Sequence, residues 1–302
     1  MHRLMNRPIE LAVSSPAMGW MTKRRVRGKR LILAYHGIIP DGEAPAGEPA
    51  LFISQREFAL HLDLLENEAD VAPLDQIDEP GDGRPRVAIT FDDAYAGAVN
   101  EGVRELTKRG LPVTIFVVPG RLNGHVFWWD ALSHESGKLD AAARHHALHE
   151  LAGADERVRA WAASEALSVS YALPAYARAA TRAELAAALA FPGITVGSHT
   201  WSHRNLAALG ETDVIAEVRD SREWLHAEFG DKAVDWLAYP YGLDSGDVHR
   251  AVAAASYTGA LGIGGGWHRA TDACRFARPR FSIGSRLTAA GLRSRLNGAR
   301  LG

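Results

Sequence analysis

Short, β-branched apolar segments recur along this chain, and helix-patterned stretches separate them. The strand-like segments are Leu31–Gly37, Val87–Phe91, Val113–Val118, Ile194–Gly197, Val234–Tyr239, Tyr257–Ile263 and Phe281–Gly284. Each is too short for a helix and is bounded by Gly, Pro or polar residues, the pattern of a buried strand. Between them, Ser54 and Glu57 frame a capping box ahead of Phe58, Leu62 and Leu65 on one helical face. Tyr95–Arg109 ends at Gly110 and Pro112, and Asp213–Phe229 ends at Gly230. Asp247–Ala255 and Leu287–Leu296 complete the series. Strands alternating with helices demand right-handed crossovers and a parallel sheet. The expectation is an α/β protein, an irregular (β/α)7-type barrel of parallel strands, as a single domain over residues 1–302. Residues 131–190 break the rhythm. They are Ala-rich, carry a second capping box at Thr181 and Glu184, and read as a helical insertion.

The length of 302 residues and 47% hydrophobic content suffice for one full core. A formal charge of −2 gives no reason to expect nucleic acid. The single cysteine, Cys274, excludes an internal disulfide and suits a reducing compartment. No apolar run is long enough to span a membrane. The N-terminus lacks the order of a secretory signal, since Pro8 and Pro16 interrupt its apolar portion. The expected location is cytoplasmic. Residues 1–30 form a basic lead-in, with Lys23, Arg24, Arg25, Arg27, Lys29 and Arg30 clustered at its end. They read either as a solvated approach to the first strand or as a peripheral contact with an anionic membrane surface or a phosphorylated, lipid-linked sugar.

In parallel α/β folds chemistry collects where strands leave the core. Asp92 and Asp93 close the second segment there. Two adjacent carboxylates resist burial, so a cation is the simplest compensation, although a helix N-terminus also favours Asp. Gly197-Ser198-His199-Thr200-Trp201-Ser202-His203 follows the Ile194–Val196 segment. On a helical turn His199 and His203 face one way, which is zinc-ligand spacing, and two His with one Asp leave a coordination position open. Phe127-Trp128-Trp129-Asp130 lies beyond another strand end. It is either a hydrophobic lid or a platform on which aromatic faces stack against sugar rings. His134, His145, His146 and His149 lack a carboxylate partner and read as a solvated helix face, whereas Tyr171 and Tyr176 are placed at the cleft border.

Thr90-Phe91-Asp92-Asp93 and Ser198-His199-Thr200-Trp201-Ser202-His203 resemble the first two motifs of the polysaccharide deacetylase (NodB-homology) family, carbohydrate esterase family 4. Ala238-Tyr239-Pro240-Tyr241-Gly242 resembles the third, and the likeness runs over roughly residues 30–285. It implies Asp92 as general base and Asp93, His199 and His203 as metal ligands. It further implies an oxyanion-binding N–H near Tyr241, with Tyr239, Pro240, Trp128, Trp129 and Asp130 as substrate contacts. The family's general-acid His is usually near the C-terminus, yet no His follows His268. Leu33-Ala34-Tyr35-His36 fits the circularly permuted branch that resembles poly-N-acetylglucosamine deacetylases, which makes His36 the acid and His268 the alternative. The third motif carries Ala238 where an Arg usually positions the base, leaving Arg278 and Arg280 as candidates for that task. The implied activity is metal-dependent removal of an N-acetyl group from an N-acetylglucosamine-type sugar in a polysaccharide or its precursor. The implied cofactor is a divalent metal, Zn2+ by default, with Co2+ or Ni2+ as substitutes. Its partner is an N-acetylated glycan or glycolipid. The alternatives are a deformylase or deacylase of a lipid-linked aminosugar and a catalytically silent sugar-binding module.

Overall fold

The computed structural model describes residues 28–133, 139–269 and 274–298. The lead-in up to residue 27 and His134 of the histidine-rich stretch lie outside the described residues. The strands are β1 (Arg30–Tyr35), β2 (Gly37–Ile39), β3 (Phe52–Ser54), β4 (Asp70–Val71), β5 (Arg86–Phe91), β6 (Val113–Val117), β7 (Ile194–Ser198), β8 (Ala233–Ala238), β9 (Gly259–Leu261) and β10 (Phe281–Ser282). The main sheet runs β10-β1-β5-β6-β7-β8-β9, with β4 against β5. Every pair in it is parallel.

The seven expected strands are the seven of this path. Leu31, Ile32, Leu33, Val87, Ala88 and Ile89 are all buried, as continuous apolar strands covered on both faces must be. The sheet curls back on itself through an irregular segment before β10. Ala260 N–H donates to Arg275 O, Arg278 N–H to Ala260 O and Gly262 N–H to Arg278 O, which ties β9 to the chain entering β10. β10 then pairs with β1. The barrel is therefore closed by loop backbone rather than by a regular strand.

A Pro- and Gly-containing stretch joins β2 to β3, which form a small parallel pair. The capping box expected at Ser54 is half formed. Ser54 accepts from Glu57 N–H, but the Glu57 carboxylate accepts from Ala289 N–H at 2.6 Å and so fastens the C-terminal helix Ala289–Leu296. The insertion carries helices Ala141–His145, Asp155–Ser164 and Arg182–Leu189, the last with a complete box at Thr181 and Glu184. His145 and His149 are exposed there, as a solvated face requires. Among the described residues no helix is long and apolar enough to cross a membrane.

Candidate active site

Parallel register sets the site. Tyr35 pairs with Phe91 across β1 and β5, so His36 and Asp92 leave neighbouring strands side by side, and Asp92 N–H donates to Tyr35 O at 2.9 Å. Val117 pairs with Ser198 across β6 and β7, and His199 N–H donates to Val117 O at 2.8 Å. Tyr241 comes off β8, the next strand round.

Asp93, His199 and His203 converge, their nearest ligand atoms all lying within 4.8 Å of one another. Asp93 Oδ1 is 3.5 Å from His199 Nε2 and 3.1 Å from His203 Nε2, and the two Nε2 atoms are 3.1 Å apart. The His pair does not sit on a helical turn, which corrects the expectation from spacing. Thr200 and His203 have φ of 63° and 62°, and the segment is held by Thr200 N–H to Ser198 Oγ and His203 N–H to Thr200 Oγ1. Asp93 has φ 66° and Ala94 φ 52°, so left-handed backbone aims the carboxylate as well. Such conformations in non-glycine residues cost about 1–3 kcal/mol each and persist where surrounding structure enforces them.

The chemistry of this donor set fits a divalent metal. His199 Nδ1–H donates to Ala238 O at 2.7 Å, which leaves Nε2 as the lone-pair atom. Burial lowers His199 to about 4 and His203 to about 3, so both rings are neutral near pH 7. Burial also pushes the Asp93 carboxyl up, and its Oδ1 is buried without a hydrogen-bond partner. Two neutral imidazoles and a carboxylate facing one point are a donor set that could supply three ligands to a divalent metal and leave a position for water.

Asp92 is engaged differently. Arg280, fully buried, grips it in two-pronged fashion, with Nη1 to Oδ1 at 2.6 Å and Nη2 to Oδ2 at 2.8 Å. Arg280 Nε–H donates to Gly262 O, and Nη1 also reaches Thr90 Oγ1. Burial pushes Asp92 up, but the Arg280 guanidinium, with His199 and His36, overcomes that and holds it well below the usual carboxylate range. Arg278 points elsewhere and pairs with Asp78. Of the two arginines expected to orient Asp92, only Arg280 touches it. His36 Nε2 lies 3.8 Å from Asp92 Oδ2. Burial lowers the His36 pKa against the opposing pull of Asp92 and Asp93. His268 is at the far end of β1, where it exchanges backbone hydrogen bonds with Arg30. The length of a six-residue strand, about 20 Å, separates it from the rim.

A cleft of about 330 Å³ opens over these groups. His36, Asp92, Asp93, His199, His203 and Tyr241 line it, together with Trp129 and Tyr239. Leu51, Arg144, Leu148 and Ile263 add walls that no motif in the sequence announced. Arg144 and Leu148 sit in the Ala-rich insertion, where nothing but the fold sets them over the rim. Three expected substrate contacts are not brought to the cleft. Trp128 and Asp130 belong to the buried helix Trp128–Ser133, and Pro240 is buried beneath Tyr241. Of the tyrosines expected at the border, Tyr171 is exposed and Tyr176 is buried, and neither lines the cleft.

The family model for polysaccharide deacetylases matches residues 80–260, more than half of the chain. The chain belongs to the polysaccharide deacetylase family. No curated protein sequence matches it. Among solved structures it is similar to the deacetylase PplD of Streptococcus pyogenes in complex with acetate. The identity is 16% and the TM-score 0.61, over 89% of this chain and 99% of that one. It is similar to IcaB from Ammonifex degensii at 16% identity and TM-score 0.60, over 90% and 98% of the two chains. A de-N-acetylase from Aggregatibacter actinomycetemcomitans gives 16% and 0.60, over 88% and 98%. At this identity the likeness carries the fold. The matched polysaccharide deacetylase segment contains Asp92, Asp93, His199, His203 and Tyr241. His36 and Arg280 flank it on either side and reach the site through β1 and the chain entering β10.

Proposed function

We propose that this polysaccharide deacetylase-family chain hydrolyses the N-acetyl group of an N-acetylglucosamine-type sugar, in a polysaccharide or its precursor, with a divalent metal, zinc by default. The observation that carries the reading is the meeting of Asp93, His199 and His203 in one cleft with the Arg280-anchored Asp92 and with His36. Family membership supports carbohydrate deacetylation, and the intact ligand set argues against a silent binding module.

Asp93, His199 and His203 would hold the metal, which when bound supplies Lewis acidity and makes a water acidic enough to lose a proton near neutral pH. Asp92 takes that proton as the water oxygen bonds to the amide carbon. The carbonyl π electrons move onto oxygen, and the Tyr241 backbone N–H stabilises the oxyanion. The C–N bond breaks as His36, protonated, gives its proton to the leaving nitrogen. Acetate and a free amine result. Arg280 both aims Asp92 and weakens it as a base, so orientation is gained against basicity. Trp129 and Tyr239 border the space that an acetamido sugar would fill.

The test is acetate release from N-acetylglucosamine oligomers by the full chain, as purified, after chelation, and with zinc restored. Activity lost and regained is expected. In parallel, Asp92→Asn is expected to cut turnover at least 100-fold, roughly the general-base contribution, while still binding zinc. Zinc-loaded protein that releases no acetate but frees formate from N-formyl sugars would replace this substrate by that of a deformylase. Asp92→Asn with wild-type turnover would remove Asp92 from the role of base.

A further inference from the structure

The two imidazoles of the triad are held by different means. His199 is fixed by a hydrogen bond from its Nδ1–H to Ala238 O. His203 Nδ1 is buried and makes no hydrogen bond among the described residues. Its ring is instead boxed by aromatic rings, with Trp129 tilted against it at a centroid distance of 4.7 Å and Tyr241 edge-on at 4.6 Å and 89°. Phe127 backs Trp129 in a stack at 4.6 Å and 10°.

Ring contacts alone set orientation loosely, so the stiffness of this box depends on what pins its walls. Trp129 Nε1–H donates to Tyr95 Oη at 2.9 Å, and Tyr95 O–H donates to Asp130 Oδ2 at 2.5 Å. Asp130 Oδ1 in turn accepts from Glu48 N–H at 2.8 Å, which anchors the chain to the loop ahead of β3. The second wall is pinned likewise, since Trp128 Nε1–H donates to Tyr241 Oη at 3.1 Å. Tyr95 and Asp130 are buried and face no part of the cleft, which suits a scaffold and not a sugar platform.

We propose that Tyr95 and Asp130 are positioning residues that act through the Trp129 wall to hold the His203 imidazole in its metal-ligating orientation. The Phe127–Asp130 segment then serves metal affinity, and only the cleft-lining side of Trp129 meets a glycan. This rests on reading Asp93, His199 and His203 as metal ligands. Groups that orient a ligating His typically change metal affinity about 10–100-fold when removed.

The full-length protein, stripped with chelator, is titrated with Zn2+ by calorimetry, and its Co2+ absorption spectrum is recorded as a signature of ligand geometry. Tyr95→Phe deletes one hydroxyl and keeps the ring. It is expected to weaken zinc binding about tenfold and alter the Co2+ bands, with KM for the glycan at saturating zinc unchanged. Asp130→Asn repeats the measurement should Tyr95→Phe fold poorly. Wild-type zinc affinity and Co2+ bands in the folded variants overturn the proposal, and a raised KM beside them assigns the aromatic segment to the glycan instead. A wild-type chain that binds no zinc overturns the metal site itself, an outcome distinct from variants that bind as well as wild type.

Discussion

Asp92 and Asp93 are neighbours in sequence with opposite electrostatic fates. Asp93 faces two neutral imidazoles and burial pushes its carboxyl up, whereas Arg280 holds Asp92 down. The sign of the Arg280 effect follows directly. A carboxylate depressed on folding contributes stability above its unfolded value of about 3.9, and that stability is lost as pH falls through the folded value. Arg280→Met removes the depressing charge and leaves burial unopposed, so the Asp92 pKa rises. The acid limb of the pH–rate profile is expected to move to higher pH, and turnover to fall. Breaking a fully buried pair by removing one partner costs about 3–5 kcal/mol, which a urea melt reads as a lower midpoint.

At the scale of elements, strand ends are fixed by register and their loops by strained turns. The helices of the insertion are held by polar contacts that titrate. Asp155 opens the helix Asp155–Ser164 without a side-chain cap from Ala154, and it accepts from Arg159 at 2.5 Å and His125 at 3.3 Å. Arg159 also donates to Val126 O, tying this helix to the chain just before Phe127. Burial raises the Asp155 carboxyl, but the bonds from His125 and Arg159 prevail and bring it down to about 2. The stability it adds is present above about pH 4 and is lost as pH falls toward 2. Asp155→Asn is expected to cost about 2 kcal/mol at pH 7, the size of the shift in free energy, and to flatten the stability curve below pH 4. Denaturation followed at pH 7 and pH 3 checks both.

Across the whole molecule, the site is assembled from β1, β5, β7, β8 and the segment entering β10, which sit at widely separated places in the chain. A ligand held jointly by the ends of β5 and β7 binds the folded chain and not the unfolded one. Zinc at 100 times its Kd is therefore expected to stabilise the protein by about 2.7 kcal/mol, seen as a higher Tm that chelator reverses. An unchanged Tm across the same zinc range would argue against ligation by Asp93, His199 and His203.

The sequence by itself determined the seven strands of the barrel path and their parallel pairing, because short apolar runs between helix patterns require crossover connections. It also placed Asp92, Asp93, His199 and His36 at strand ends, since these follow on apolar runs, with His203 four residues beyond His199. What only the tertiary structure decided depends on chain segments far apart in sequence. Arg280 reaches Asp92 because barrel closure lays the chain before β10 between β9 and β1, whereas Arg278, two residues earlier, pairs with Asp78 outside the site. The His pair converges through left-handed turns at Thr200 and His203 and not through helical spacing, and spacing cannot encode that. The segment holding Trp128 and Asp130 reads in sequence as either a lid or a sugar platform, and the family resemblance implies sugar contacts there. The burial of these two residues behind Trp129 follows from how the insertion packs on the rim, which local pattern does not specify.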